Sequence, residues 1–260
     1  MLKLFAIILF VGFPLSVVGQ GRASNHETLR IAVAANFYST AKEIAEAFSQ
    51  KHGIKVELVN GSSGKIYHQL LRKAPIDIFI SANHRYTDEL YRSHLSGQPF
   101  ALSLGRLAVW RGPSYEGEWS EPVRKELFEE SHVAIANPKV APFGQAAQRF
   151  LSDMGWHPTA KRKLLTGESV AQAFHFARSS RKVLGVVAYS QILSLPESSR
   201  GTYWLLPEPY NSELVQTIAP LKSCTEKAVC RALVEHFRSE ASSAVMERQG
   251  YRKVAGLSTN

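Results

Sequence analysis

"TLRIAVAANFYSTAKEIAEAFSQKHGIKVELVNGSSGKIYHQLLRKAPIDIFISAN", residues 28–83, switches its hydrophobic period repeatedly, and those switches set the fold. Residues 28–35 read as a buried strand. From Ser39 onward, Ala41, Ile44, Ala45 and Phe48 recur at helical spacing, with Gly53 as the stop. Thr40 and Glu43 have the spacing of a capping box. Residues 54–59 alternate like a strand, 64–73 read as helix, and 76–83 make a third strand ending in small polar residues. The order β-α-β-α-β predicts an α/β fold: a parallel sheet with helices on both faces, binding ligands beyond the carboxyl ends of its strands.

The same grammar restarts downstream. After "GRLAVWRGP" (105–113) comes a looser stretch with Pro113, Gly117 and Pro122. Residues 132–138 then read as strand, 144–155 and 167–180 as helices, and 182–189 as strand. A strand-rich return (201–223) and two helical segments (226–251) follow, with no repeat of fixed period. Two such units with a return predict two lobes joined by crossing strands, and a small-ligand cleft between them.

The N-terminus reads as an export signal, residues 1–23. Met1 and Lys3 precede an apolar run from Leu4 to Val18, broken only by Gly12, Pro14 and Ser16. The run is shorter than the roughly 20 residues a spanning helix needs, and no cysteine follows to carry a lipid. Cleavage after Gly19 or after Ala23 is expected, leaving a soluble mature protein. The two cysteines, Cys224 and Cys230, admit a local disulfide or two thiols, and are too few for a metal site. The formal charge of +9 is spread along the chain. Its densest runs, 160–164 and 178–182, lie in or beside helix-like segments and read as solvated faces. Nucleic-acid binding would call for a basic stripe interleaved with aromatics, so only a mild pull on anions follows.

"VNGSSGKIYHQL" (59–70) carries the chemistry. A phosphate loop of the Walker A type needs glycine where Val59 stands and a hydroxyl where Ile66 stands. A nucleophile elbow needs glycine where Lys65 stands, which leaves an exported hydrolase using Ser63 only as an alternative. No His-Glu-x-x-His or acid–histidine cluster suggests a catalytic metal. The third reading uses what is present: N–H groups freed at a helix start, serine hydroxyls, and glycines that let the backbone come close to an anion. A plain serine-rich helix cap would look the same in a single loop. However, residues 34–40, 142–147, 167–172 and 188–192 also place small or polar residues at helix starts, and "SAN" (81–83) ends a strand of the first sheet. Several donor loops from both halves are expected to converge.

"AVAANF" (32–37), "GSSGKIYHQL" (61–70), "APIDIFISAN" (74–83), "ANPKVAPFGQAAQ" (136–148), "GESVAQAF" (167–174) and "LGVVAYSQ" (184–191) stand in an order and spacing that resemble the ModA family, the periplasmic molybdate-binding proteins that feed ABC transporters. "AVMERQGY" (244–251) fits as well, so the resemblance spans nearly the whole mature chain. It implies a two-lobed type II periplasmic binding protein fold, with lobe I at 28–108 and 213–260 and lobe II at 109–212. It further implies a periplasmic monomer with no catalysis, no cofactor and no bare metal cation. Such a protein captures molybdate, and tungstate with it, for an inner-membrane ABC permease.

Carried over residue by residue, the implied oxyanion ligands are the Asn36 side chain, Ser63, and main-chain donors from Ala35 or Asn36, Phe143 and Val170. Two departures stand out. Ala188 falls where some members carry a tyrosine, with Tyr189 expected to face elsewhere. Phe143 stands where others have Ala or Tyr, so only its N–H can donate. Lys65, the one basic residue in these loops, is expected to point away from the ligand. A shell of donors alone offers no acceptor for a protonated anion, which excludes phosphate. Sulfate survives that filter, so a sulfate receptor is the alternative within binding proteins.

Overall fold

A computed structural model describes residues 28–113 and 115–254; the expected signal peptide lies outside them. Its strands are β1 (Thr28–Ala34), β2 (Lys55–Gly61), β3 (Ile78–Ser81), β4 (Phe100–Leu104), β5 (Leu107–Trp110), β6 (His132–Ala136), β7 (Leu164–Gly167), β8 (Val183–Ala188), β9 (Tyr203–Leu205) and β10 (Val215–Pro220). The helices are α1 (Tyr38–His52), α2 (Ser63–Leu71), α3 (His84–Arg92), α4 (Glu121–Glu130), α5 (Pro142–Asp153), α6 (Val170–Ser179), α7 (Tyr189–Leu193), α8 (Lys222–Thr225), α9 (Ala228–Arg238) and α10 (Glu240–Arg248).

The strands sort into two sheets of matching design, β2-β1-β3-β10-β4 and β7-β6-β8-β5-β9. In the first, β1 runs parallel to β2 and β3, and the returning β10 is antiparallel to β3 and β4. In the second, β6 runs parallel to β7 and β8, while β5 is antiparallel to β8 and β9. Each sheet with its helices is one lobe of a two-lobed α/β fold. The chain crosses between lobes twice, from β4 to β5 through Gly105 and Arg106, and from β9 to β10. Asn211 ties the crossings together: its Oδ1 accepts the Leu107 N–H at 2.8 Å and its Nδ2 donates to the Leu206 carbonyl at 3.0 Å. Leu107 and Ala108, expected in lobe I, pair with β8 in the second sheet, so the first crossing ends two residues earlier than the sequence suggested.

The predicted apolar stripe of α1 is the buried one: Ala41, Ile44, Ala45 and Phe48 are all buried, and Ala41, Ile44 and Phe48 share a core with Leu29, Ile31 and Val33 of β1. Burying Ile44 and Phe48 contributes about 1.5–3 kcal/mol each, and the two alanines less. Gly53 ends the helix in the left-handed conformation, φ 67°, and its N–H bonds the Ser49 carbonyl. The expected capping box does not form. A short 3-10 turn (Ala35–Phe37) feeds straight into α1, Thr40 is buried one turn in, and Glu43 instead reaches Arg248 and Gln249. Helix α4 occupies part of the stretch read as loose, with proline in its first turn, where the missing N–H costs nothing. Strand β7 begins in a basic run read as a helix flank, and α6 starts at Val170 instead of 167. Cys224 and Cys230 form a disulfide joining α8 to α9, with their Cα atoms 5.6 Å apart.

Candidate functional site

The carboxyl ends of the parallel strands in both sheets face one another across the cleft. The loops that leave them open the helices there: the 3-10 turn and α1 after β1, α2 after β2, α5 after β6 and α6 after β7. A cavity of about 10 Å³ lies between them, and Ala35, Asn36, Ser63, Phe143 and Val170, all five residues named from sequence, line it. Ser62, Gly61, Ala82 and Ala141 complete much of the wall. Every lining side chain is neutral. Any attraction for an anion here must therefore come from backbone N–H groups at helix starts, where the summed peptide dipoles favour negative charge. Phe143 and Val170 stand in the first turns of α5 and α6, where an N–H has no carbonyl a turn earlier to bond.

Ser63 is 1% exposed, and its Oγ accepts the Ala82 N–H at 3.0 Å. With the oxygen so engaged, its proton is directed elsewhere, and the hydroxyl is set to donate. The "SAN" loop thus orients Ser63. The same contact weakens the hydrolase alternative, because Ser63 Oγ meets a donor instead of a base and His68 is exposed on α2.

Asn36 behaves differently from the expectation. Gln216 donates through Nε2 to the Leu214 carbonyl at 2.8 Å, which leaves Oε1 as an acceptor, and Asn36 Nδ2 donates to it at 2.8 Å. The Tyr251 hydroxyl lies 3.2 Å from the same Nδ2 and donates to the Asn36 carbonyl at 2.7 Å. Ser190, from lobe II, donates to that carbonyl as well, at 3.0 Å. Both amide protons are committed inside the protein, so the side chain braces the loop, and what Asn36 can offer a ligand is its main-chain N–H. Burial pushes the Tyr251 phenol up to about 12, against the pull of its bonds to Ser190 and Asn36, so it stays protonated as the donor. Gln216, Ser190 and Tyr251 were not singled out by the sequence reading, although "AYSQ" and "RQGY" both fell within stretches it marked.

Ala188 is buried, and Tyr189 turns away to bond Tyr203, hydroxyl to hydroxyl, at 3.0 Å under the Arg106 guanidinium. Phe143 is also buried; its ring reaches the crossing, so close to Gly105 that an added Cβ there would meet its Cζ at 2.9 Å. Lys65 stays off the cavity wall and reaches across the cleft instead, its Nζ 2.8 Å from a Glu168 carboxylate oxygen. That pair is largely exposed, and pairs of this kind contribute about 0–1 kcal/mol.

Other contacts across the cleft are buried. Gly64 N–H donates to the Val140 carbonyl at 2.8 Å, and Ala34 and Ala82 of lobe I pack into the lobe II core. The lobes are therefore closed on each other. The metal-capable cluster found among the described residues, Asp77 with Cys224 and Cys230, has both sulfurs in the disulfide, which leaves no thiolate to bind an ion.

A family model described as bacterial extracellular solute-binding protein matches residues 29–252. The molybdate-binding protein ModA of Rhodobacter capsulatus is 33% identical over 224 residues, 85% of this chain and 86% of that protein. ModA of Azotobacter vinelandii is 31% identical over 232 residues, 88% of this chain and 91% of that protein. The solved periplasmic molybdate-binding protein of Azotobacter vinelandii superposes with a TM-score of 0.78 at 28% identity, covering 87% of this chain and 99% of that one. By matched length, identity and architecture, the chain belongs to the bacterial extracellular solute-binding proteins, alongside the ModA molybdate-binding proteins.

Proposed function

We propose that this chain is a periplasmic receptor that captures molybdate, and tungstate with it, and hands it to an inner-membrane ABC permease without chemical change. The observation that carries the reading is the cavity wall: neutral throughout, rich in helix-start N–H groups and serine hydroxyls, and drawn from both lobes. Such a wall suits a fully deprotonated dianion, whose oxygens accept only. Charge-assisted hydrogen bonds contribute about 1.5–3 kcal/mol each. Five or six of them account for micromolar to nanomolar affinity, roughly −8 to −12 kcal/mol, after ordering costs. Titration calorimetry of the mature protein with molybdate, tungstate, sulfate and phosphate tests this. Tight molybdate and tungstate binding with weak sulfate is expected; sulfate binding tightest would move the assignment to the sulfate alternative, and silence from all four would remove the oxyanion.

Ligand entry needs the lobes to part, since the lining is almost wholly buried and the space is small. Loaded and empty protein then differ in shape, which gives a permease something to distinguish.

A main-chain donor can be removed by proline substitution. Val170 is the first residue of α6, and Ser169 before it is extended at φ −143°, ψ 168°. Proline suits the first helical position, and its predecessor favours extended backbone, so Val170→Pro deletes one N–H while the helix keeps its start. Molybdate affinity is expected to fall about 10- to 100-fold, the worth of one charge-assisted hydrogen bond. Calorimetry showing unchanged affinity would take the Val170 N–H out of the ligand shell.

A further inference from the structure

Beside Ser63 the cavity holds a second hydroxyl that the ligand assignments leave unused. Ser62 is 4% exposed and lines the cavity, and its Oγ is buried with no hydrogen-bond partner. It sits at the N-cap of α2, where a serine side chain ordinarily accepts an N–H from the first turn. It makes no such bond, and the Gly64 N–H two residues on is given to the Val140 carbonyl across the cleft. A buried hydroxyl left this way is costly unless something in the cavity satisfies it.

We infer that Ser62 is a further ligand residue, whose hydroxyl donates to an oxygen of the captured oxyanion next to the one bound by Ser63. The inference rests on the oxyanion reading of the cavity. The two serines reach this state differently. Ser63 is fixed as a donor because its oxygen already accepts the Ala82 N–H. Ser62 has no protein group holding it, so the ligand itself fixes its direction. The dipeptide between Gly61 and Gly64 then presents two adjacent hydroxyls to one anion.

The test compares wild type, Ser62→Ala and Ser63→Ala by molybdate calorimetry and by thermal unfolding without ligand. Ser62→Ala is expected to lose at least about tenfold in affinity, while its ligand-free unfolding midpoint stays level, since Ser62 Oγ makes no bond within the protein that the substitution could remove. Affinity within twofold of wild type would overturn the inference and leave Ser62 an uncompensated buried group. A fall in affinity together with a lowered ligand-free midpoint would also overturn it, in favour of a structural role. A crystal structure of the molybdate complex reads the same point directly. Ser62 Oγ within about 3 Å of a ligand oxygen supports it, and a hydroxyl turned to a protein carbonyl refutes it. Should wild type bind none of the four anions, the parent reading fails too; tight wild-type binding with an unaffected Ser62→Ala sinks this inference alone.

Discussion

Gly64→Ala should weaken molybdate binding about a hundredfold or more, while the ligand-free protein unfolds at the same temperature or slightly above. A Cβ at Gly64 would stand 2.8 Å from the Val140 carbonyl oxygen and 3.0 Å from its Cα, both backbone atoms of the opposite lobe. It would also meet the Tyr86 hydroxyl at 2.7 Å, but that is the end of a side chain within lobe I and can shift. Overpacking costs about 1–3 kcal/mol, and loss of the Gly64 to Val140 hydrogen bond adds about 1 kcal/mol. Together these come to about 3 kcal/mol, or two orders of magnitude in affinity.

The Val140 part of the penalty falls on the closed state, because Val140 moves away when the lobes part, and only the small shift of the Tyr86 ring is shared with the open state. Within lobe I alone, alanine inside α2 is favoured over glycine by up to about 1 kcal/mol. Calorimetry and ligand-free melting, read together, separate this from general damage. X-ray scattering should further show that the variant fails to compact at molybdate concentrations that saturate wild type. Undiminished affinity would mean that Gly64 and Val140 do not meet in the loaded protein.

Much of this was legible in the sequence because it is written in short-range patterns. The alternating period of residues 28–83 sets a parallel sheet, and the apolar stripe of α1 is the one that packs. Ala35, Asn36, Ser63, Phe143 and Val170 were placed through the resemblance, and they do line one cavity. What escaped depends on contacts far apart in the chain. Asn36 reads as a ligand amide until Gln216 and Tyr251, distant by 180 and 215 positions, claim its protons. Thr40 and Glu43 have capping spacing, yet Glu43 is taken by Arg248 from another helix. Ser62 and Ser63 are indistinguishable as letters; only the Ala82 N–H tells them apart. Strand β7 is short and begins at the end of a basic run, so its identity comes from pairing with β6 and not from its own period.

A glycine seated against backbone of its own lobe should, when replaced, lower stability as well as affinity. Gly144 lies in the first turn of α5, and a Cβ built there would come within 2.3 Å of the Ala136 carbonyl oxygen, 2.8 Å of the Ala136 carbonyl carbon and 2.9 Å of the Asn137 carbonyl carbon. All three are backbone atoms at the end of β6, so no side chain can rotate to make room. This close seating is what brings the Phe143 N–H to the cleft, because α5 starts directly on the strand end instead of a loop's width away. In Gly144→Ala the helix start must lift. Overpacking at its upper range, less the gain in helix propensity, leaves a loss of about 2–3 kcal/mol. That corresponds to a ligand-free midpoint lowered by roughly 4–12 °C in a protein of this size. The strain is present in open and closed states alike, so the stability loss should appear without ligand and persist at saturating molybdate. Affinity should also fall, as the Phe143 donor is displaced. A variant that melts like wild type would show that α5 can slide on β6, and the cavity wall in lobe II would then be set by something other than this contact.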